Sequence, residues 1–228
     1  GWGQGPTHSQ TLQSWFAHIP GLIVLMPAFA EDAYDLMIES VSNPNPVIIL
    51  EHRWLHNMVS SSDFRPKRKI GKASIIIPGN DITIVSMGYL SVEAKIAANN
   101  LATQGLSIEV IDLGTISPID YTTIFTSLEK TGKVLILDTG HKTCSVAHDL
   151  IAELILYFTD LQTPKISSLC IPSFPEPTST ALIDNYHITP SDIEKKCIEM
   201  TNQDINNYRL TTRKGPNDTP GMWFTGPF

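Results

Sequence analysis

The opening residues Gly1-Trp2-Gly3-Gln4-Gly5-Pro6-Thr7-His8-Ser9-Gln10 hold the side chain best suited to proton chemistry. An imidazole titrates near neutrality, so it can give or take a proton or hydrogen-bond a substrate oxygen. Three glycines and a proline in six positions exclude a helix or strand interior. His8 therefore falls on a tight loop. Ser9 can cap a helix through Thr11–Ala17, which would set free backbone N–H groups beside His8. Two readings stand side by side: a functional histidine, or one of seven histidines filling a turn.

Other polar groups read more simply. His18 lies in the last turn of that helix, where a positive charge is favoured whatever the function. Ser40-Val41-Ser42-Asn43-Pro44-Asn45 ends a helix at an Asn-Pro turn. Cys144, Cys170 and Cys197 are widely spaced and odd in number, the pattern of reduced thiols in a cytoplasmic protein rather than of a zinc site or a disulfide framework. Arg65-Pro66-Lys67-Arg68-Lys69 is the densest basic run. No aromatic platform accompanies it and the chain carries a net charge of −7, which argues against nucleic acid. No apolar run approaches the ~20 residues of a membrane-spanning helix.

These groups need elements to hold them. Leu22–Met26 and Val47–Leu50 are short apolar runs that read as buried parallel strands, with a helix over Glu31–Val41 between them. Such a unit cannot cover both faces of its own sheet and calls for a partner. Residues 55–69 read as a solvated linker. From Ile70 the pattern is regular. Strands are expected at 70–77, 82–86, 107–113, 134–137 and 165–169. Helices are expected at 92–104, from Ser117-Pro118 to Lys130, at 143–158 and at 190–200. Alternation of this kind implies a mostly parallel five-stranded α/β sheet with helices on both sides. The tail 201–228 ends in Met222-Trp223-Phe224 and Phe228, aromatic groups that a free tail rarely carries, so it is expected to dock on a partner subunit. The chain begins at Gly1 inside a motif and reads as the later part of a longer chain.

GPTHSQ, then SWFAHIPGL, NPVIILEH, VIDLGTISPID and KTGKVLILDTGHKT, together resemble the beta subunit of thiamine-diphosphate-dependent 2-oxo acid dehydrogenases of the pyruvate, branched-chain and acetoin type. The histidine loop is also similar to that of transketolases. The resemblance implies the back half of a pyrimidine-binding domain over residues 1–54, the linker at 55–69, a transketolase C-terminal-like domain over 70–200 and the docking tail at 201–228. It implies oxidative decarboxylation of a 2-oxo acid, with acyl transfer to a lipoyl-lysine. By resemblance His8 is catalytic and, with Ser9 and Gln10, binds substrate; for Ser9, helix capping is the other reading. No GDG metal–diphosphate signature is present. Thiamine diphosphate would thus be shared with an alpha subunit that holds the magnesium, in a heterotetramer of two alpha and two beta subunits. Self-association through the C-terminal domain and docking to a lipoyl acyltransferase core are also implied, in the cytoplasm or the mitochondrial matrix. Ser40, Asn43 and Asn45 resemble a potassium loop, with Asn43 where an acid is usual. Gly114 stands where family members commonly have arginine, and Ser145 where glycine is usual. A ketol-transfer enzyme of transketolase or deoxyxylulose-phosphate-synthase type is the alternative, and the isolated chain is expected to be an inactive assembly module.

Overall fold

The computed structural model describes residues 5–59, 67–159, 162–213, 215, 219–221 and 223–226. Gly1–Gln4 of the histidine loop, 60–66 of the linker, Met222 and Phe228 lie outside these residues.

The first unit consists of α1 (Gln13–Ala17), β1 (Ile23–Leu25), α2 (Ala30–Val41) and β2 (Val47–Ile49). β1 is buried along its whole length and pairs parallel with β2, Val24 opposite Ile48. Its other edge is taken by β6 (Thr115–Ser117), which arrives antiparallel from the second unit. The partner that the sequence pattern called for on this edge is therefore the chain itself, in a β2-β1-β6 sheet. The outer face of α2 stays uncovered: Tyr34, Met37, Ile38 and Val41, at helical spacing, are all exposed.

The second sheet has the order β3-β5-β4-β7-β8, formed by Ser74–Ile77, Ile108–Asp112, Ile82–Ser86, Lys133–His141 and Lys165–Ile171 respectively. Only the β3–β5 pairing is antiparallel. Because side chains alternate along a strand, each strand feeds two cores. Ile82, Ile84, Leu135 and Leu137 meet α3 (Tyr89–Ala102) and α6 (Pro190–Met200) on one face. Val85, Val134 and Ile136 meet α4 (Tyr121–Thr131) and α5 (Val146–Tyr157) on the other. Val24 and Met26 of the first unit join this second core, which welds the two units together.

Three expectations change. Ser117-Pro118 does not open a helix: Ser117 ends β6, its peptide bond to Pro118 is cis, and α4 begins after Asp120, whose carboxylate caps it through Thr123 N–H. Ser9 does not cap α1, which starts only at Gln13 after an uncapped Leu12. The linker is not wholly solvated, since Arg68 is buried and its guanidinium Nη2 sits 2.9 Å from Asp112 Oδ2. Within the chain, the tail's Trp223 and Phe224 are partly buried against the core beside α3 and α6. Apolar rings need burial, and an intramolecular surface supplies part of it.

Gly114 explains the buried Arg68. Its φ of +59° disfavours any side chain, and a Cβ there would lie 2.3 Å from Arg68 Nη2. The space vacated at residue 114 is filled by a guanidinium from the linker. Ser145, the other departure from the family pattern, caps α5 by accepting His148 N–H at 3.2 Å.

Candidate active-site cleft

The parallel strands β1 and β2 end side by side, and open α/β sheets bind ligands in the crevice beyond the carboxyl ends of their strands. A cleft of about 460 Å³ lies there. Met26, Ile49 and Leu50 come from the strand ends, His8 and Gln10 from the loop before α1, and Glu51, His52, Arg53 and His56 from the segment after β2. The floor is apolar and the rim is rich in hydrogen-bonding groups.

The loop carrying His8 is fixed at three points. Gln10 Nε2 donates to Pro6 O at 3.0 Å, which closes the turn over Pro6–His8. Gly5, at φ +75°, rests so close to Thr178 that a Cβ would approach its Oγ1 to 2.6 Å. Gln13, fully buried, donates to Asp138 Oδ1 at 2.7 Å. Asp138 also accepts from Gly140 N–H and from Ala147 N–H in the first turn of α5. Burial pushes the Asp138 carboxyl up, against these donors, which favour its charged form. His8 itself is exposed at the cleft rim. Gln10 lines the cleft, but its amide serves the loop. Ser9 is buried, its hydroxyl has no hydrogen-bond partner, and it does not line the cleft.

His52 is held differently. Its Nδ1 accepts Trp54 N–H at 3.3 Å, and its ring packs against Trp54 and Tyr89 at centroid distances of 4.9 and 4.5 Å. Burial first, then neighbouring charges including His187 and His56, hold its pKa well below the ordinary histidine value. It is a neutral imidazole.

In the loop expected to hold a cation, the Ser40 and Asn43 side chains are engaged locally. Ser40 Oγ donates to Leu36 O at 2.6 Å, and Asn43 Oδ1 accepts Asn45 N–H at 3.0 Å. His18 lies apart, in a separate hollow with His148. His141 is exposed, its ring Nδ1 2.6 Å from Pro172 O. Among the described residues no group of three His, Cys, Asp or Glu is arranged to hold a metal ion. No described helix is long and apolar enough to cross a membrane.

The family described as "Transketolase, C-terminal domain" matches residues 71–193, and "Transketolase, pyrimidine binding domain" matches residues 2–58. The chain belongs to the transketolase family. Its cleft thus lies on the pyrimidine-binding part, and the five-stranded sheet is the C-terminal domain. Among curated relatives, this transketolase-family chain is 34% identical over 180 residues to the acetoin:2,6-dichlorophenolindophenol oxidoreductase subunit beta of Cupriavidus necator, covering 78% of the chain and 53% of the relative. It is 35% identical over 195 residues to the Bacillus subtilis protein of the same name, covering 85% and 57%. Against the pyruvate dehydrogenase E1 component subunit beta of Rhizobium meliloti it is 36% identical over 179 residues, covering 77% and 38%. The chain therefore spans about half the length of the first two relatives, or less for the third. A solved structure titled "Split gene transketolase, inactive beta4 tetramer" shares the fold, with a TM-score of 0.70 at 20% identity over 83% of this chain and 60% of that one.

Sequence reasoning named His8 and its loop. It left His52, Gln13 and Asp138 without a role. The strand-end rule could have nominated Glu51-His52, because they directly follow the second apolar run. Nothing in the sequence pairs Gln13 with Asp138, which lie 125 positions apart.

Proposed function

We propose that this chain is the beta-subunit portion of a thiamine-diphosphate-dependent 2-oxo acid dehydrogenase. The observation that carries the reading is His8 at the rim of a cleft beyond the ends of two parallel strands. It lies within residues 2–58, which match the pyrimidine-binding domain, on a chain akin to acetoin and pyruvate dehydrogenase beta subunits.

The cleft fits one wall of a cofactor site. Its apolar floor of Met26, Ile49 and Leu50 suits a heterocycle, and its rim offers donors to substrate oxygens. Thiamine diphosphate, when bound, supplies the carbon nucleophile that attacks the 2-oxo carbon. An alpha subunit would hold its diphosphate with magnesium. His8 hydrogen-bonds the substrate's carbonyl or carboxylate oxygen and relays a proton to it. Gln10 keeps the loop closed, and Ser9 is buried beside His8. Water is excluded when the partner subunit closes the open side of the cleft.

The assembly proposed is a heterotetramer with an alpha subunit, passing acyl groups to a lipoyl acyltransferase core in the bacterial cytoplasm or the mitochondrial matrix. The uncovered apolar face of α2 supports a partner on that side. A potassium ion on carbonyl oxygens of the Ser40, Asn43 and Asn45 loop belongs to the same reading. The isolated 228 residues are proposed to be inactive.

Native mass spectrometry of the full-length parent, purified from its own cells, tests this. A heterotetramer that retains thiamine diphosphate agrees with the proposal. A homodimer active in ketol transfer between sugar phosphates contradicts it.

A further inference from the structure

His52 stands where the His8 cleft meets the packed core. It lines that cleft and also an adjoining hollow of about 330 Å³ walled by Ala28, Phe29, Ala33 and Leu55. The ring has little freedom. Trp54, behind it, is itself buried and wedged edge-on against Tyr89 at 4.9 Å and His187 at 5.0 Å. Because Nδ1 accepts the Trp54 N–H, the neutral tautomer carries its proton on Nε2. Nε2–H is the polar edge left for the hollows.

We propose that His52 is a substrate-binding residue whose Nε2–H donates to the oxygen on the carbon next to the reacting carbonyl. This rests on the function proposed above. In a 2-oxo acid that oxygen belongs to the carboxylate, and in a 2-hydroxy ketone to the hydroxyl. The substrate's aliphatic group then extends toward Phe29 and Leu55. His8 and His52 divide the two neighbouring oxygens between them.

The neutral state of His52 matters to the chemistry. Decarboxylation moves negative charge from the carboxylate onto the adjoining carbon. A cation fixed on the carboxylate would stabilise the ground state more than the transition state and slow the reaction. A neutral N–H orients the carboxylate with less of that penalty. The aromatic clamp preserves this state, because a protonated imidazole would lose the hydrogen bond at Nδ1 and bury a charge among Trp54, Tyr89 and His187.

The test uses the assembled full-length parent with its partner subunit, thiamine diphosphate and magnesium. Steady-state kcat and KM are measured for pyruvate and for acetoin with an artificial electron acceptor. Three variants are compared: His52→Phe, His52→Gln and His8→Ala. Phenylalanine keeps the ring contacts with Trp54 and Tyr89 and removes the donor. His52→Phe is expected to raise KM for the substrate used by about tenfold, the loss of one hydrogen bond to a charged or strongly polar oxygen. Thiamine diphosphate affinity, read from fluorescence quenching, should stay at the wild-type value. His52→Gln, which restores an N–H near the same place, should recover most of the loss. The substrate whose KM rises identifies the oxygen held, carboxylate or hydroxyl. An unchanged KM in His52→Phe overturns the proposal, as does a rise that His52→Gln fails to reverse. A His52→Phe protein that does not assemble leaves His52→Gln to decide: near-wild-type KM with that variant supports a donor role, and a rise of about tenfold in its KM contradicts it. A wild-type parent that, loaded with cofactor, turns over neither of these nor a branched-chain 2-oxo acid refutes the proposed function itself and takes this inference with it.

Discussion

Gln13 Nε2 donates to Asp138 Oδ1 at 2.7 Å, joining the first turn of α1 to the end of β7 across the two units. Gln13 also lines the His8 cleft, and together the two residues set where the His8 loop stands. Asp138 also holds the start of α5 through Ala147 N–H.

Replacing Gln13 by Ala removes a buried donor from a buried carboxylate. The expected loss of stability is about 1.5–3 kcal/mol, read as a fall in the midpoint of urea unfolding of the parent protein. Activity should fall as well, through kcat more than KM, because the loop loses an anchor while the cleft keeps its floor. Unchanged kcat would detach the clasp from function.

Arg68 and Gly114 form a second such relationship. Gly114→Arg puts a second guanidinium into space already filled and should be strongly destabilising. Exchanging Arg68→Met in the same chain vacates that space and lets the new arginine face Asp112. The double variant should therefore be more stable than Gly114→Arg alone by about 2 kcal/mol or more, a coupling that touching residues show. Additive effects in denaturant titrations would contradict the exchange. Arg68→Met alone leaves Asp112 buried without its cation, and should cost about 3–5 kcal/mol.

Glu93 predicts a pH dependence. The residue is buried on α3 and accepts Trp223 Nε1–H at 2.7 Å, and burial raises its carboxyl from 4.5 to about 7. The folded state keeps a proton that the unfolded chain releases. This group's contribution is therefore fully favourable below about pH 4.5 and is lost as pH rises toward 7. The difference across that window is about 3 kcal/mol. Glu93→Gln keeps an acceptor for Trp223 and removes the titration. Its melting temperature should exceed wild type at pH 8 and converge with it at pH 5. An equal offset at both pH values would refute the assignment.

The architecture was legible because it depends on local pattern. Runs such as Leu22–Met26 and Val134–Leu137 are too apolar to lie anywhere but inside, and Pro190 with a Thr189 cap marks α6 without ambiguity. What escaped the sequence depends on contacts between distant segments. Ser117-Pro118 looks like a helix start until β1 is seen to need an edge partner, which β6 supplies. Arg68 looks solvated within a basic run until the empty space beside Gly114 and the buried Asp112 are known. His8 was legible because its loop chemistry is local. The strand-end rule could have nominated His52, but not the clamp that fixes it, which joins a strand end to Tyr89 of the second unit.

The central claim is that His8 works on a 2-oxo acid from the rim of the strand-end cleft. The most direct measurement is 2-oxo-acid-dependent reduction of an artificial electron acceptor by the assembled, thiamine-diphosphate-loaded parent, wild type against His8→Ala. The account predicts turnover by the wild type and a loss of about 10²–10⁴-fold in kcat for the variant, the range for a lost acid–base group, with cofactor still bound. Wild-type rates retained by His8→Ala would contradict it.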